Sequence, residues 1–279
     1  MGGMAKVLIT GSAQGIGAET ARRLVALGHE VVVHGRDRGR ADAALEQVPG
    51  ASAAVVGSYD SLASVRELAS AANAAGPFDV VIHNAGLGPH EPERRDTVDG
   101  LEQTVQVNAV APYLLTCLMP LSTRMVYVGS DAHRQGTVDL ADLHWRERSW
   151  GEGYWAGIAP YSDSKLLFQM WVFELAALHP ERAINVVHPG WVQTAMGGPQ
   201  ATLPVDEGAD TPVWMATSED PIALGSGQFV HRRAVEDVHP ATRDAGLRAA
   251  VVEHFRELTG EALPAAEEGL RAPSASPRA

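Results

Sequence analysis

Apolar residues recur along this chain in short, nearly unbroken runs, and longer stretches with helical spacing separate them. Lys6-Val7-Leu8-Ile9, Val31-Val32-Val33, Ala53-Ala54-Val55-Val56, Asp79-Val80-Val81-Ile82, Met125-Val126-Tyr127-Val128 and Ile184-Asn185-Val186-Val187 read as buried strands. Between them the spacing predicts helices over 15–27, 38–47, 62–75 and 98–118, and another that carries Tyr161 and Lys165 to about His179. Gly28 ends the first of these helices as its C′ residue. Apolar strands alternating with helices are the pattern of a parallel sheet covered on both faces. Right-handed crossovers make such a sheet doubly wound, so the expected class is α/β.

Two segments break the regularity. Residues 131–160 form an extended loop of about thirty residues, too long for a plain connection in a compact domain and therefore read as a functional substrate loop. Residues 261–279, rich in Ala, Pro, Glu and Ser, read as a disordered tail. The pattern shows one domain over 1–260, with no internal repeat and no second core.

Composition narrows the function classes. The net charge of −12 argues against nucleic acid, whose binders present basic faces. No apolar stretch reaches the ~18 residues of a membrane span, and the N-terminus runs straight into a strand with no signal peptide, so a cytoplasmic location is expected. The single Cys117 rules out an internal disulfide, and its apolar neighbours mark a packed thiol rather than a nucleophile. The eleven histidines form no ligand-spaced pair with carboxylate or cysteine support, so no metal is expected. Lysine occurs only at Lys6 and Lys165, against twenty arginines, which makes the place of Lys165 telling.

Two motifs carry chemistry. Thr10-Gly11-Ser12-Ala13-Gln14-Gly15-Ile16-Gly17 joins a strand to a helix. There Gly11 permits a tight turn, and Gly15 and Gly17 let a phosphate approach the free N–H groups and positive end of the helix dipole. Tyr161-Ser162-Asp163-Ser164-Lys165 places a phenol and an ammonium four residues apart, on one helix face. At about 4 Å and an effective dielectric of ~20 that charge contributes up to ~4 kcal/mol. The expectation is a phenol brought down from its usual value near 10 toward neutrality, able to give or take a proton.

These motifs, with Asn84-Ala85-Gly86, Asn108, Ser130 and Pro189-Gly190, occur in the order found in the short-chain dehydrogenase/reductases, and the chain resembles that family over about residues 5 to 260. Val107 to Thr116 and Val128 to His133 resemble its retinol-dehydrogenase and carbonyl-reductase-like branch. The resemblance implies a Rossmann-type fold. It also implies that Tyr161 is the general acid in carbonyl reduction, and that Lys165 lowers its pKa and bonds the nicotinamide ribose. Ser130 would bond the substrate carbonyl, and Asn108 would hold a water in a relay toward Lys165. The implied cofactor contacts are Gly11, Ser12, Gln14, Gly15, Ile16 and Gly17, then Arg36, Asn84, Ala85 and Gly86, and finally Tyr161, Lys165, Pro189, Gly190, Val192 and Thr194.

Cofactor choice is written after the second strand, where an acid favours NAD and an arginine favours NADP. The chain reads His34-Gly35-Arg36-Asp37, with Gly35 where the acid would fall, so NADP(H) is expected over NAD(H), and Asp37 is read as a helix cap. A basic residue common in NADP-preferring members is replaced by Gln14, and the usual adenine-site aspartate by Ser58, with Asp60 read as a cap. Trp145, Trp150 and Trp155 in the loop, and Trp191 beyond Gly190, suggest a bulky apolar or aromatic substrate, with Trp155 and Trp191 nearest to it. The function expected is an NADP(H)-dependent oxidoreductase interconverting a carbonyl and an alcohol, working as a ketoreductase. A reductase of activated carbon–carbon double bonds and a non-catalytic dinucleotide sensor stay open. So do a homodimer or homotetramer through the long helices and a monomer set apart by the loop.

Overall fold

The computed structural model describes residues 3–266 and holds one eight-stranded sheet. Its strands are β1 (Lys6–Ile9), β2 (Glu30–Gly35), β3 (Ala53–Val56), β4 (Val80–His83), β5 (Arg124–Val128), β6 (Ala183–His188), β7 (Phe229–His231) and β8 (Ala234–Val235). The order is β3-β2-β1-β4-β5-β6-β7-β8, parallel throughout except for the antiparallel β7–β8 pair. Valine-rich strands buried on both faces need helices on both sides, and the sequence supplies them.

On one face lie α1 (Gly15–Ala26), α2 (Arg38–Gln47) and α7 (Val205–Thr217). On the other lie α3 (Leu62–Ala75), α4 (Gln103–Val105), α5 (Ala111–Leu118), α6 (Ile158–Leu178) and α10 (Ala245–Thr259). Two short turns, α8 (Pro221–Leu224) and α9 (Pro240–Arg243), complete the α-helices among the described residues. The crossing from β1 to β4 reverses the strand order and opens a crevice at the C-terminal ends, where open α/β sheets bind ligands. The expected class, a doubly wound Rossmann-type α/β sheet, is what forms.

Helices 38–47 and 62–75 fall where the spacing placed them. Asp37 caps α2 by accepting from Arg40 N at 2.8 Å, and Gly28 follows α1 at φ +85° as the C′ glycine. The predicted 98–118 helix instead begins at Gln103. Gly100 turns the chain at φ +75°, and the buried Glu102 carboxylate caps the helix by accepting from Thr104 N and Val105 N. Gln106–Val110 then forms one π-helical turn before α5. Ser61, not Asp60, caps α3, because the Ser61 hydroxyl accepts from Ser64 N while Asp60 is engaged by Gln103.

Residues 261–266, placed in a tail by composition, lie against the helical layer. Tyr113 Oη donates to Glu261 O (2.9 Å), His179 Nε2 to Pro264 O (2.9 Å), and Leu263 is buried. The rest of the expected tail, 267–279, lies outside the described residues.

Candidate active site

A cavity of about 860 Å³ runs along the C-terminal ends of the strands, from the glycine turn to the N-terminal part of α6. At its β1 end the turn is fixed from both sides. Asn84 Nδ2 donates to Thr10 O and Gly11 O (3.0 Å each), and Asn84 N and Ala85 N donate to Thr10 Oγ1. Gly11 and Gly15 have φ of +65° and +59°, and a Cβ on Gly17 would lie 2.4 Å from Asn84 Nδ2 and 2.5 Å from Gly11 O. Only glycine fits this close approach. The N-cap Gln14 makes no side-chain cap bond, and the first turn of α1 carries no acid. No side chain of the turn caps the positive end of the helix.

Ser12 departs from expectation. It is fully buried and does not line the cavity. Its hydroxyl donates to Ile9 O and accepts from His34 N, and its own N–H donates to His34 O. Both polar groups are committed to the strands, so the Ser12 side chain is not presented to the cavity. Gln14, Gly15, Ile16 and Gly17 do line the cavity, as do Asn84, Ala85 and Gly86.

The end of β2 forms the next wall. A Cβ on Gly35 would come within 2.2 Å of Ala41 N, so α2 packs too closely for any side chain there. This brings Arg36 and Arg40 to the cavity, Arg40 donating to Gln14 Oε1 at 3.1 Å. Arg40 was not singled out from the sequence, although its place three residues after the Asp37 cap put it in the first turn beside the strand end. Ser58, Tyr59 and Asp60 line the same end, Ser58 Oγ bonding Asp60 Oδ2 at 3.4 Å.

The β5–β6 end gathers the titratable groups. Ser130 closes β5, and Tyr161 and Lys165 reach it from α6, all three lining the cavity. Burial pushes the Tyr161 phenol up from its ordinary value, and a hydrogen bond with Ser130 holds it back in part. Burial pulls the Lys165 ammonium down to about 8. Lys165 Nζ donates to Val128 O at 3.2 Å and lies 5.8 Å from the Tyr161 ring centre. The expected lowering of the Tyr161 pKa by Lys165 is therefore not present in the protein alone. Desolvation outweighs the charge, which is directed at a carbonyl.

The Asn108 side chain is engaged within the protein. It is buried in the π-helical turn and does not line the cavity. Its Oδ1 accepts from Leu87 N (2.7 Å), and its Nδ2 donates to Leu87 O and Ser164 Oγ. The side chain clamps the loop after β4 onto α6, immediately behind Lys165.

Pro189, Gly190, Val192 and Thr194 line the cavity after β6, with Thr194 Cγ2 3.2 Å from where a Gly15 Cβ would stand. Beyond them is an aromatic rim. Trp155 and Trp191 lie 6.0 Å apart between ring centres, and His90 packs on Tyr154 and Trp155 at 4.0 and 4.6 Å. Trp191 is fixed by its indole N–H on Gly197 O. Trp145 and Trp150 serve the loop itself: Trp145 lies under the Arg148 guanidinium at 3.9 Å, and Trp150 donates to Glu91 O. Cys117 is a packed thiol, pushed up to about 12 by burial. Among the described residues no helix is long and apolar enough to cross a membrane.

Glycine turn, strand-end hydroxyl and Tyr–Lys pair on one parallel sheet define a dinucleotide-binding oxidoreductase site, and comparison with known proteins agrees. The short chain dehydrogenase family model matches residues 5–138. Over 264 residues the chain is 36% identical to Short-chain dehydrogenase chyC of Penicillium rubens, spanning 94% of this chain and 100% of that one. It is 32% identical over 273 residues to the provisionally named daunorubicin C-13 ketoreductase DnrU of Streptomyces, spanning 91% and 92%. To mouse Retinol dehydrogenase 14 it is 32% identical over 281 residues, spanning 86% and 81%. A crystal structure of a protein from Mycobacterium paratuberculosis superposes with a TM-score of 0.78 at 30% identity, covering 93% of this chain and 95% of that one. The chain belongs to the short-chain dehydrogenase/reductase family of oxidoreductases, in its retinol-dehydrogenase-like branch.

Proposed function

We propose that the chain is an NADP(H)-dependent ketoreductase, interconverting a carbonyl and an alcohol on a bulky apolar or aromatic substrate. The observation that carries this reading is the convergence of Ser130, Tyr161 and Lys165 on the cavity that the glycine turn also lines. The uncapped N-terminus of α1 and the close-packed glycines fit a pyrophosphate. Gly35, Arg36 and Arg40 support NADP over NAD, since the wall at Gly35 has no room for a carboxylate while two guanidiniums line the cavity beside it.

When bound, the nicotinamide would supply or accept a hydride at the substrate carbon. The chain's own part is to hold the substrate oxygen and move its proton. Ser130 Oγ would donate to that oxygen, and Tyr161 Oη would transfer its proton there. A phenol held above its ordinary value stays protonated at neutral pH, which is the form reduction needs. Lys165 would bind the ribose beside it. Trp155, Trp191, Tyr154 and His90 offer flat apolar faces, which favours an aromatic or extended apolar ketone. The provisional ketoreductase name of the Streptomyces relative points the same way.

Titration of the protein with NADPH and NADH, followed by nucleotide fluorescence, tests the reading. Clearly tighter NADPH binding that weakens in Arg36→Ala and Arg40→Ala supports it, while tighter NADH binding overturns the cofactor assignment. Product analysis with an aromatic ketone and a matched enone then separates carbonyl from carbon–carbon double-bond reduction.

A further inference from the structure

His34 has no evident task in the sequence: a histidine closing the apolar run of β2. In the fold it is 2% exposed, yet it lies at the cavity. Gly11 N–H donates to its Nδ1 at 2.9 Å. A backbone N–H can only donate, so Nδ1 is unprotonated and the ring proton sits on Nε2. Nε2 in turn meets Gly57 O at 2.9 Å, as a donor to a carbonyl must. The His34 main chain adds two more bonds, its N–H donating to Ser12 Oγ and its carbonyl accepting from Ser12 N. One residue thereby joins the ends of β1, β2 and β3.

The effect on Gly11 is specific. Its carbonyl accepts from Asn84 on the β4 side, and its N–H is taken by His34 on the β2 side. The left-handed turn that opens the phosphate seat is held between two side chains from neighbouring strands. The same imidazole stacks near Tyr59, ring centres 5.9 Å apart, and Tyr59 lines the cavity beside Ser58 and Asp60. An apolar replacement would orphan a half-buried donor at Gly11 and a buried acceptor at Gly57. An imidazolium would set two donors facing each other at Gly11.

We propose that His34 is a positioning residue for the dinucleotide: its neutral imidazole staples the glycine turn to the loop after β3 and so fixes the seat of the adenosine half. The proposal rests on the nucleotide-binding reading above. Ser130, Tyr161 and Lys165 stand at the β5–β6 end, so loss of the staple falls on cofactor affinity before chemistry.

The test compares wild type with His34→Ala, His34→Asn and His34→Gln, by NADPH fluorescence titration, by kcat and KM for NADPH with one ketone substrate, and by melting curves. His34→Asn keeps an acceptor near the Nδ1 position, and His34→Gln keeps a donor near Nε2. The expected result is a tenfold or greater rise in NADPH Kd and KM for His34→Ala, a much smaller fall in kcat, and recovery of most of the affinity by His34→Asn. Should His34→Ala fail to fold, His34→Asn and His34→Gln carry the comparison, and a Kd order of Gln weaker than Asn is expected. A folded His34→Ala protein with wild-type Kd overturns the proposal, as does a fall in kcat that matches the rise in KM. Equal weakening by the Asn and Gln variants also overturns it, because that would mark a packing role only. Wild type that binds neither NADPH nor NADH sinks the nucleotide reading itself, a result distinct from any difference among the variants.

Discussion

At the residue scale the proposed reaction would depend on two buried groups that the protein alone keeps in unequal states. Burial holds Tyr161 protonated and leaves Lys165 titrating near 8. Below about 8 Lys165 is charged, and above it the charge is lost, so kcat/KM for ketone reduction should fall as pH rises through about 8. Alcohol oxidation needs the phenolate, which burial holds back beyond its ordinary range, so oxidation should gain nothing through about pH 8 and rise only toward the alkaline end. Rates in both directions, measured from about pH 6 to about pH 11, check this; reduction that stays flat through about pH 8, or oxidation that climbs there, would contradict it. Tyr161→Phe removes the transferable proton and should lower kcat by roughly 10²- to 10⁴-fold while NADPH still binds. Unchanged turnover in that variant would remove Tyr161 from its assigned role.

At the element scale the loop over 131–160 is fastened to the helix that carries the reactive pair. Asp163, buried between Tyr161 and Lys165, accepts from Arg148 Nη1 at 2.7 Å and from Thr137 N at 2.7 Å. Arg148 also bonds Asp142 and covers Trp145. Breaking a buried ion pair by removing one partner costs ~3 kcal/mol or more. Arg148→Ala should therefore lower stability by about 2 to 3 kcal/mol, the bonds from Thr137 easing the loss, and admit protease within the loop. Urea unfolding and limited proteolysis measure both. The glycine turn allows as little change: Gly17→Ala sets a methyl against Asn84 and Gly11 and should abolish measurable NADPH binding, read by the same titration. The helix misplaced at 98–118 shows why such local features escape periodicity. Its start is decided by Gly100 and by a carboxylate, Glu102, that is buried because it caps.

At the scale of the whole molecule, α6 has little free surface to offer a second copy. Fifteen of its residues are buried, and α10 packs against it. Segment 261–266 bonds Tyr113 on α5, and Arg66 on α3 pairs with Glu261 at 2.6 Å. A chain that covers its own long helices should run as a single copy in light scattering at micromolar concentration; a stable dimer mass would show that another face is used. Removing residues beyond Gly260 strips the bonds to Tyr113, Arg66 and His179, and should lower Tm by several degrees.

The sequence by itself determined the strands, most helices, the glycine turn and the candidate trio of Ser130, Tyr161 and Lys165 that lines the same cavity. These depend on local rules: apolar runs, helical spacing, and glycines where only glycine fits. Tertiary structure decided the rest, because each remaining feature joins residues far apart in the chain. His34 acquires a purpose only when Gly11 and Gly57 stand 23 residues away on either side of it, and Arg40 only when it meets Gln14. Ser12 and Asn108 turn away from the cavity because strand β2, Leu87 and Ser164 claim their polar atoms first. Tyr161 keeps its proton because packing around α6 removes water from the phenol, and desolvation is a property of the surrounding fold that residue spacing does not encode.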